Sequence, residues 1–260
     1  MLRAADITFV YRGGEGGLHG VSVDVPRGGL VGILGPNGSG KTTLLRVLGG
    51  LLAPSAGLLT IDGRDIARMP RHEVARKIAV VPQETHLSFD YSVLEVVLMG
   101  RYPHLGAFEL EGQDDLAIAR EALAATGTDR LEARMFPTLS GGEKQRVIIA
   151  SALAQAAGLM LLDEPTASLD PAYQIGIAAL LRRVNAERGV AMVVATHDLN
   201  LAAGLCRQLV LLRAGRVLAT GPTPDVLTRE SVRALYDVDA DVQYHERAGH
   251  LTVVPISRLG

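Results

Sequence analysis

The stretch Leu30-Val31-Gly32-Ile33-Leu34-Gly35-Pro36-Asn37-Gly38-Ser39-Gly40-Lys41-Thr42-Thr43 decides the fold. Its apolar start, Leu30 to Leu34, reads as a strand covered on both faces, as in the centre of a parallel sheet. The pattern Gly35-x-x-x-x-Gly40-Lys41-Thr42 follows at once and opens a helix from Thr42 to about Leu48. In that setting the glycines let successive backbone N–H groups turn inward as an anion nest. The helix N-terminus adds the positive end of its dipole. Lys41 is expected to reach the β- and γ-phosphates of a nucleotide, and the Thr42 hydroxyl to bind Mg²⁺. The competing reading is a glycine-rich turn without a ligand.

Similar apolar runs recur at Ile78 to Val81, Leu159 to Leu162 and Val190 to Ala195, with helical segments between them. That alternation argues for an α/β sheet. Near the start, Val21 to Val25 alternates with period two, and Leu58 to Ile61 is closed by Asp62-Gly63, so half-buried strands and tight turns are expected there. From Thr85 to Ala157 the pattern is mostly helical. Ser92-Val93-Leu94-Glu95 fits a capping box, with Gly100 closing the helix, and Asp114 to Ala125 fits a second amphipathic helix. After Gly221, Thr228 is expected to cap a helix to Tyr236. Val242 to Tyr244 and Leu251 to Val254 are expected to pair around Ala248-Gly249.

Leu159-Met160-Leu161-Leu162-Asp163-Glu164 places two acids at the end of a buried strand, the edge where open α/β sheets bind ligands. Asp163 suits Mg²⁺, which takes few carboxylates and keeps waters. Glu164 suits a group that orients or deprotonates an attacking water. By itself the pair reads equally well as a helix cap. Ser140-Gly141-Gly142-Glu143 is a capping box whose glycines leave N–H groups for a phosphate.

Composition narrows the field. The chain has 260 residues, of which 48% are hydrophobic, so a large core can form. A net charge of -2 with no long basic block makes nucleic acid an unfavoured partner. The basic run Arg68 to Lys77 reads as a solvated helix face. The single cysteine, Cys206, excludes an internal disulfide and a multi-cysteine metal site, and its apolar surroundings suggest an inert core thiol. No signal peptide opens the chain, and no apolar run reaches the ~18 residues that span a bilayer. A cytosolic protein is expected, reaching any membrane by docking to another protein.

The glycine-rich loop and Leu139-Ser140-Gly141-Gly142-Glu143-Lys144-Gln145-Arg146, in this order, resemble the ATP-binding subunits of ABC transporters. Other matches follow the family's order. Tyr11 resembles the aromatic that stacks on adenine. Gln83 resembles the loop glutamine that senses Mg²⁺ and the membrane subunit. Ser168-Leu169-Asp170 resembles the loop that crosses the dimer interface, and His197 the histidine that contacts the γ-phosphate.

The resemblance implies a P-loop NTPase core of RecA-like type over residues 1–220. It carries an N-terminal antiparallel β subdomain and an inserted helical subdomain at 85–157, with an extension at 221–260. It implies ATP held by Tyr11 and by Gly35, Pro36, Asn37, Gly38, Ser39, Gly40, Lys41, Thr42 and Thr43. Thr42, Gln83 and Asp163 would hold Mg²⁺, and Glu164, His197 and Gln83 would serve catalysis. Ser140, Gly141, Gly142 and Asp170 would complete the site from a second copy. Glu143 stands where the family commonly has glutamine. One copy of each motif per chain implies a homodimer that sandwiches two ATP molecules head-to-tail.

Ser92 to His104 and Val226 to Val238 resemble subunits of importers for ferric siderophores, haem and cobalamin. This implies two permease subunits, indirectly a substrate-binding protein, and a place on the cytoplasmic face of a bacterial inner membrane. Leu87, Phe89 and the Met99 to His104 turn are candidates for the docking groove. The rivals are an exporter or lipid-extraction subunit, and a soluble ABC ATPase acting on ribosomes or DNA. The latter usually carries two cassettes or a long coiled-coil insert, and this chain has neither. A P-loop GTPase or kinase is a third class, against which Ser140 to Gln145 and Tyr11 speak.

Overall fold

Alternating and continuous apolar runs give strands in the places where the periodicity puts them. The computed structural model describes all of the chain but residues 12, 14, 15, 84, 86–88, 107, 259 and 260. It forms two units: residues 1–69 with 191–260, and residues 70–190.

The first unit opens with β1 (Leu2–Val10), β2 (Gly17–Val25), β3 (Leu30–Leu34), α1 (Lys41–Leu48), β4 (Ala56–Ile61) and β5 (Arg64–Asp65). An antiparallel sheet runs β2-β1-β4-β5. Along β2 the burial alternates from Val21 to Val25, as the period-two pattern requires.

The second unit contains α2 (Arg71–Ala75), β6 (Ile78–Val81), α3 (Val93–Leu98), α4 (Gln113–Thr126), α5 (Gly141–Ala154), β7 (Leu159–Asp163) and α6 (Pro171–Arg188). β6 and β7 pair in parallel, and β7 is buried throughout. Ser92 and Glu95 form the expected capping box at α3. Gly100 does not close that helix. The chain passes at Met99 into a 3-10 turn, Met99–His104, that includes Gly100. A Cβ at Gly100 would lie 2.1 Å from the Ser151 carbonyl oxygen, so glycine is needed there for close approach to α5. Arg101 in the same turn is buried. It donates to Asp115 of α4 and to the Ala154 carbonyl of α5, each at 2.8 Å.

The chain then returns to the first unit with β8 (Ala191–Thr196), α7 (Leu199–Leu205), β9 (Gln208–Arg213), β10 (Arg216–Pro222), α8 (Thr223–Val226), α9 (Arg229–Tyr236), β11 (Val238–His245) and β12 (His250–Arg258). β3 lies between β9 and β8, parallel to both, and β10 pairs antiparallel with β9. β3 and β8 are wholly buried, as strands covered on both faces should be. Thr228 caps α9 as expected, and the hairpin β11–β12 runs longer than its apolar core suggested. Cys206 ends α7, fully buried, and burial pushes its thiol up to about 12.

Candidate functional site

In the first unit β3 ends at Leu34 and β8 at Thr196, and these residues pair across the ladder. Gly35 donates its N–H to the Thr196 carbonyl at 3.4 Å. The glycine-rich turn and His197 therefore leave neighbouring strands at one edge of the sheet, the C-terminal edge. The turn is built on its own backbone. Ser39 N–H donates to the Pro36 carbonyl at 3.2 Å, and Gly215 N–H to the Ser39 carbonyl at 2.9 Å. Gly38 and Gly40 take φ values of 78° and 102°, left-handed geometry that a side chain resists. Leu44 N–H then bonds the Gly40 carbonyl at 2.8 Å and starts α1.

Lys41 is buried, and its ammonium donates to the carbonyls of Gly35 at 2.8 Å and Pro36 at 3.2 Å. A cation is thus held inside the loop. Ser39 Oγ is buried and has no hydrogen-bond partner among the described residues. A phosphate oxygen would satisfy such an atom. Pro36 is half-buried, Asn37 is exposed at the tip of the turn, and Thr42 is half-buried in the first turn of α1. Tyr11 bonds Thr43 through its hydroxyl at 3.0 Å and meets the Phe9 ring edge-on at 4.8 Å. These contacts fix an exposed aromatic beside the start of α1.

In the second unit Val81 of β6 lies opposite Leu162 of β7. Gln83 and the Asp163-Glu164 pair thus follow neighbouring strand ends. Gln83 is exposed, whereas Asp163 and Glu164 are 7% and 8% exposed. Glu164 takes φ 48°, uncommon for a residue with a side chain, and its carbonyl accepts the Ala167 N–H at 3.0 Å. The acid is therefore held by a closed turn.

Ser140 caps α5. Its Oγ accepts the Glu143 N–H at 3.4 Å, while the Glu143 carboxylate accepts both the Ser140 N–H and the Ser140 hydroxyl at 2.9 Å. The Ser140 N–H and hydroxyl, aided by Arg134 and Arg130, hold the Glu143 carboxyl below the usual carboxylate range. Glutamine can close the same box, but without the charge that complements a helix N-terminus. A Cβ at Gly142 would lie 2.1 Å from the Tyr173 ring of α6. At Gly141 a Cβ would meet only Leu169, at 3.6 Å. The start of α5 and the turn Ser168-Leu169-Asp170 therefore sit together. Asp170 is exposed and makes no side-chain capping bond at α6.

The first unit thus carries Tyr11, Gly35 to Thr43 and His197. The second carries Gln83, Ser140 to Gly142, Asp163, Glu164 and Asp170. Two contributors had no signal in the linear pattern: Phe9 behind Tyr11, and Tyr173 over Gly142. Of the docking candidates, Phe89 and Tyr102 are 71% and 57% exposed, and Leu87 lies outside the described residues. No helix among the described residues is long and apolar enough to cross a membrane.

The family model described as ABC transporter matches residues 18–167. The chain is 44% identical over 240 residues to a cobalamin import ATP-binding protein of Halobacterium salinarum, covering 92% of this chain and 60% of that protein. It is 43% identical over 263 residues to a hemin import ATP-binding protein of Gloeobacter violaceus, covering 98% and 94%. Among solved structures it resembles a metal-chelate type ABC transporter in an inward-facing conformation, with TM-score 0.87, 30% identity and coverage of 98% and 97%. It also resembles a dimeric ATP-binding cassette bound to ADP and Pi, with TM-score 0.75, 32% identity and coverage of 86% and 99%. The chain belongs to the ABC transporter family.

Proposed function

We propose that this chain is the ATP-hydrolysing subunit of a bacterial importer for a metal chelate such as a ferric siderophore, haem or cobalamin. The observation that carries the reading is the loop Gly35 to Thr42, with a buried cation inside it and a buried hydroxyl that has no partner among the described residues. Two relatives named for cobalamin and hemin import support the cargo class.

Tyr11 stacks on adenine. The loop Gly35 to Thr43 wraps the phosphates with its backbone N–H groups, except those of Gly35 and Ser39, which bond the Thr196 and Pro36 carbonyls, and Lys41 neutralises the charge. The hard oxygen donors Thr42 Oγ1, the Gln83 amide and the Asp163 carboxylate would hold Mg²⁺, the donor chemistry that this ion prefers. When bound, Mg²⁺ supplies charge neutralisation at the β- and γ-phosphate oxygens. Glu164 orients and deprotonates the attacking water, and His197 contacts the γ-phosphate. Ser140, Gly141, Gly142 and Asp170 complete the site of a second copy, so the working unit is a homodimer. ATP closes the dimer and hydrolysis releases it, a population shift that two permease subunits read. Phe89 and Tyr102 belong to the surface that meets the permease on the cytoplasmic face of the membrane.

Glu164→Gln tests the reading. It preserves size and removes the base. Turnover should fall by roughly 10²-fold or more while ATP binding persists and the ATP-bound dimer accumulates on a sizing column. In vesicles containing the whole transporter, metal-chelate uptake should stop as well. Near-normal hydrolysis in this variant would refute the role of Glu164. Peptide or lipid export by the intact complex, without chelate uptake, would refute the cargo class.

A further inference from the structure

The turn that bears His197 is gripped by the segment that follows Gly221. This turn, His197-Asp198, joins β8 to α7. Inside it, Asp198 N–H donates to Thr196 Oγ1 at 3.0 Å, and Asp198 Oδ1 accepts the N–H groups of Asn200 at 2.8 Å and Leu201 at 3.0 Å. A bond to the His197 peptide itself comes from α9, where Tyr236 Oη donates to the His197 carbonyl at 3.1 Å.

Tyr236 stands at a well-anchored helix end. Asp237, next in the chain, caps α9 in left-handed geometry at φ 57°. Arg213, the last residue of β9, grips both oxygens of the Asp237 carboxylate at 3.1 and 2.5 Å and also donates to the Ala234 carbonyl. Val232 and Leu235 are buried on the inner face of the same helix. A second grip comes from the hairpin. Asn200, in the first turn of α7, mimics a strand partner for Val253 of β12. Its Nδ2 donates to the Val253 carbonyl at 3.1 Å, and its Oδ1 accepts the Val253 N–H at 2.8 Å. Val253 is 2% exposed, so that strand position is itself fixed.

We infer that Tyr236 and Asn200 are positioning residues for ATP hydrolysis. They tie the His197 turn and the start of α7 to α9 and to β12, and so make the extension part of the hydrolytic machinery. This rests on the function proposed above, in which the His197 side chain meets the γ-phosphate. A contact used chiefly in the transition state affects turnover more than substrate binding. A small misplacement of such a group slows the reaction without loosening the nucleotide. Nucleotide affinity comes from Tyr11 and the loop Gly35 to Thr43, whereas the hydrogen bonds of Tyr236 and Asn200 given above go to His197 and Val253.

The test is a set of double-mutant cycles in the full-length protein, with steady-state ATPase kinetics. Tyr236→Phe and Asn200→Ala are each measured alone and on a His197→Ala background. Tyr236→Phe deletes one hydroxyl and keeps the packing of α9. Its kcat should fall about 3- to 10-fold with KM for ATP changed by less than about 2-fold, the loss that one hydrogen bond of ordinary strength can produce. On the His197→Ala background neither change should lower kcat further. Amide hydrogen exchange at Asp198, Asn200 and Leu201 should quicken in both single variants. Unchanged kcat and exchange in Tyr236→Phe would overturn the inference, as would an equal fold-loss with and without the imidazole. Failure of the underlying function looks different: His197→Ala would then hydrolyse ATP at the wild-type rate, which overturns both readings together.

Discussion

Gly141 and Gly142 are adjacent, and their environments separate two reasons for being glycine. Gly142 faces the Tyr173 ring, where a Cβ would approach to 2.1 Å. Gly141 has room for a methyl, with only Leu169 near it at 3.6 Å. Gly142→Ala should therefore disturb the packing of α5 on α6 and cost about 1–3 kcal/mol, read from urea unfolding. Gly141→Ala should leave stability unchanged or raise it by about 0.5–1 kcal/mol, because alanine favours a helix start over glycine. If the N–H groups there serve a phosphate of a second copy, the Gly141→Ala protein should nonetheless lose ATPase turnover. A fully active Gly141→Ala protein would remove Gly141 from the site. The two glycines look alike in the sequence, since the difference arises from a tyrosine thirty-one positions after Gly142. By contrast the loop Gly35 to Thr42 was legible, because its strand, turn and helix are all local.

At the level of elements, caps and one buried arginine hold the helices of the second unit. Hydrogen bonds from Ser92 and Ser140 hold Glu95 and Glu143 below the usual carboxylate range, and Arg101, with the Gly112 N–H, does the same for Asp115. All three carboxylates have folded values below their unfolded ones. Their contribution to stability is therefore present above about pH 4 and is lost as pH falls through the lower folded values. Urea midpoints measured between about pH 6 and pH 3 should fall with acid, and Glu143→Gln should fall less steeply than the wild type. Arg101→Ala removes the bonds to Asp115 and Ala154 and should cost about 2 kcal/mol or more. An unchanged urea midpoint at neutral pH would contradict that tie between α4 and α5. The capping boxes were readable from a serine and a glutamate three residues apart. Arg101 was not, since a lone arginine in a turn gives no sign that helices distant in sequence will enclose it. Gly100 misled for the same reason: it looks like a helix stop and serves as a point of close approach.

At the level of the whole molecule, the claim is that two copies make two shared ATP sites. One chain carries one loop around Lys41 and one capped helix start at Ser140. The α/β order, the helical segments and the terminal hairpin all followed from periodicity, because each is a repeated local pattern. The grip of Tyr236 and Asn200 on the His197 turn did not, because it joins residues brought together only by the fold. Sharing of sites between copies is likewise a matter of assembly, and it is open to direct measurement. Lys41→Ala should lose nucleotide affinity, and Ser140→Ala should bind ATP but close poorly, so each homodimer should be nearly inactive. A dimer with one subunit of each kind has both defects in one composite site and neither in the other. ATPase activity of that purified mixed dimer is the decisive measurement. Hydrolysis should return in it, at up to about half the wild-type rate if the sites turn over independently. Verified mixed dimers that remain as inactive as either parent would contradict it.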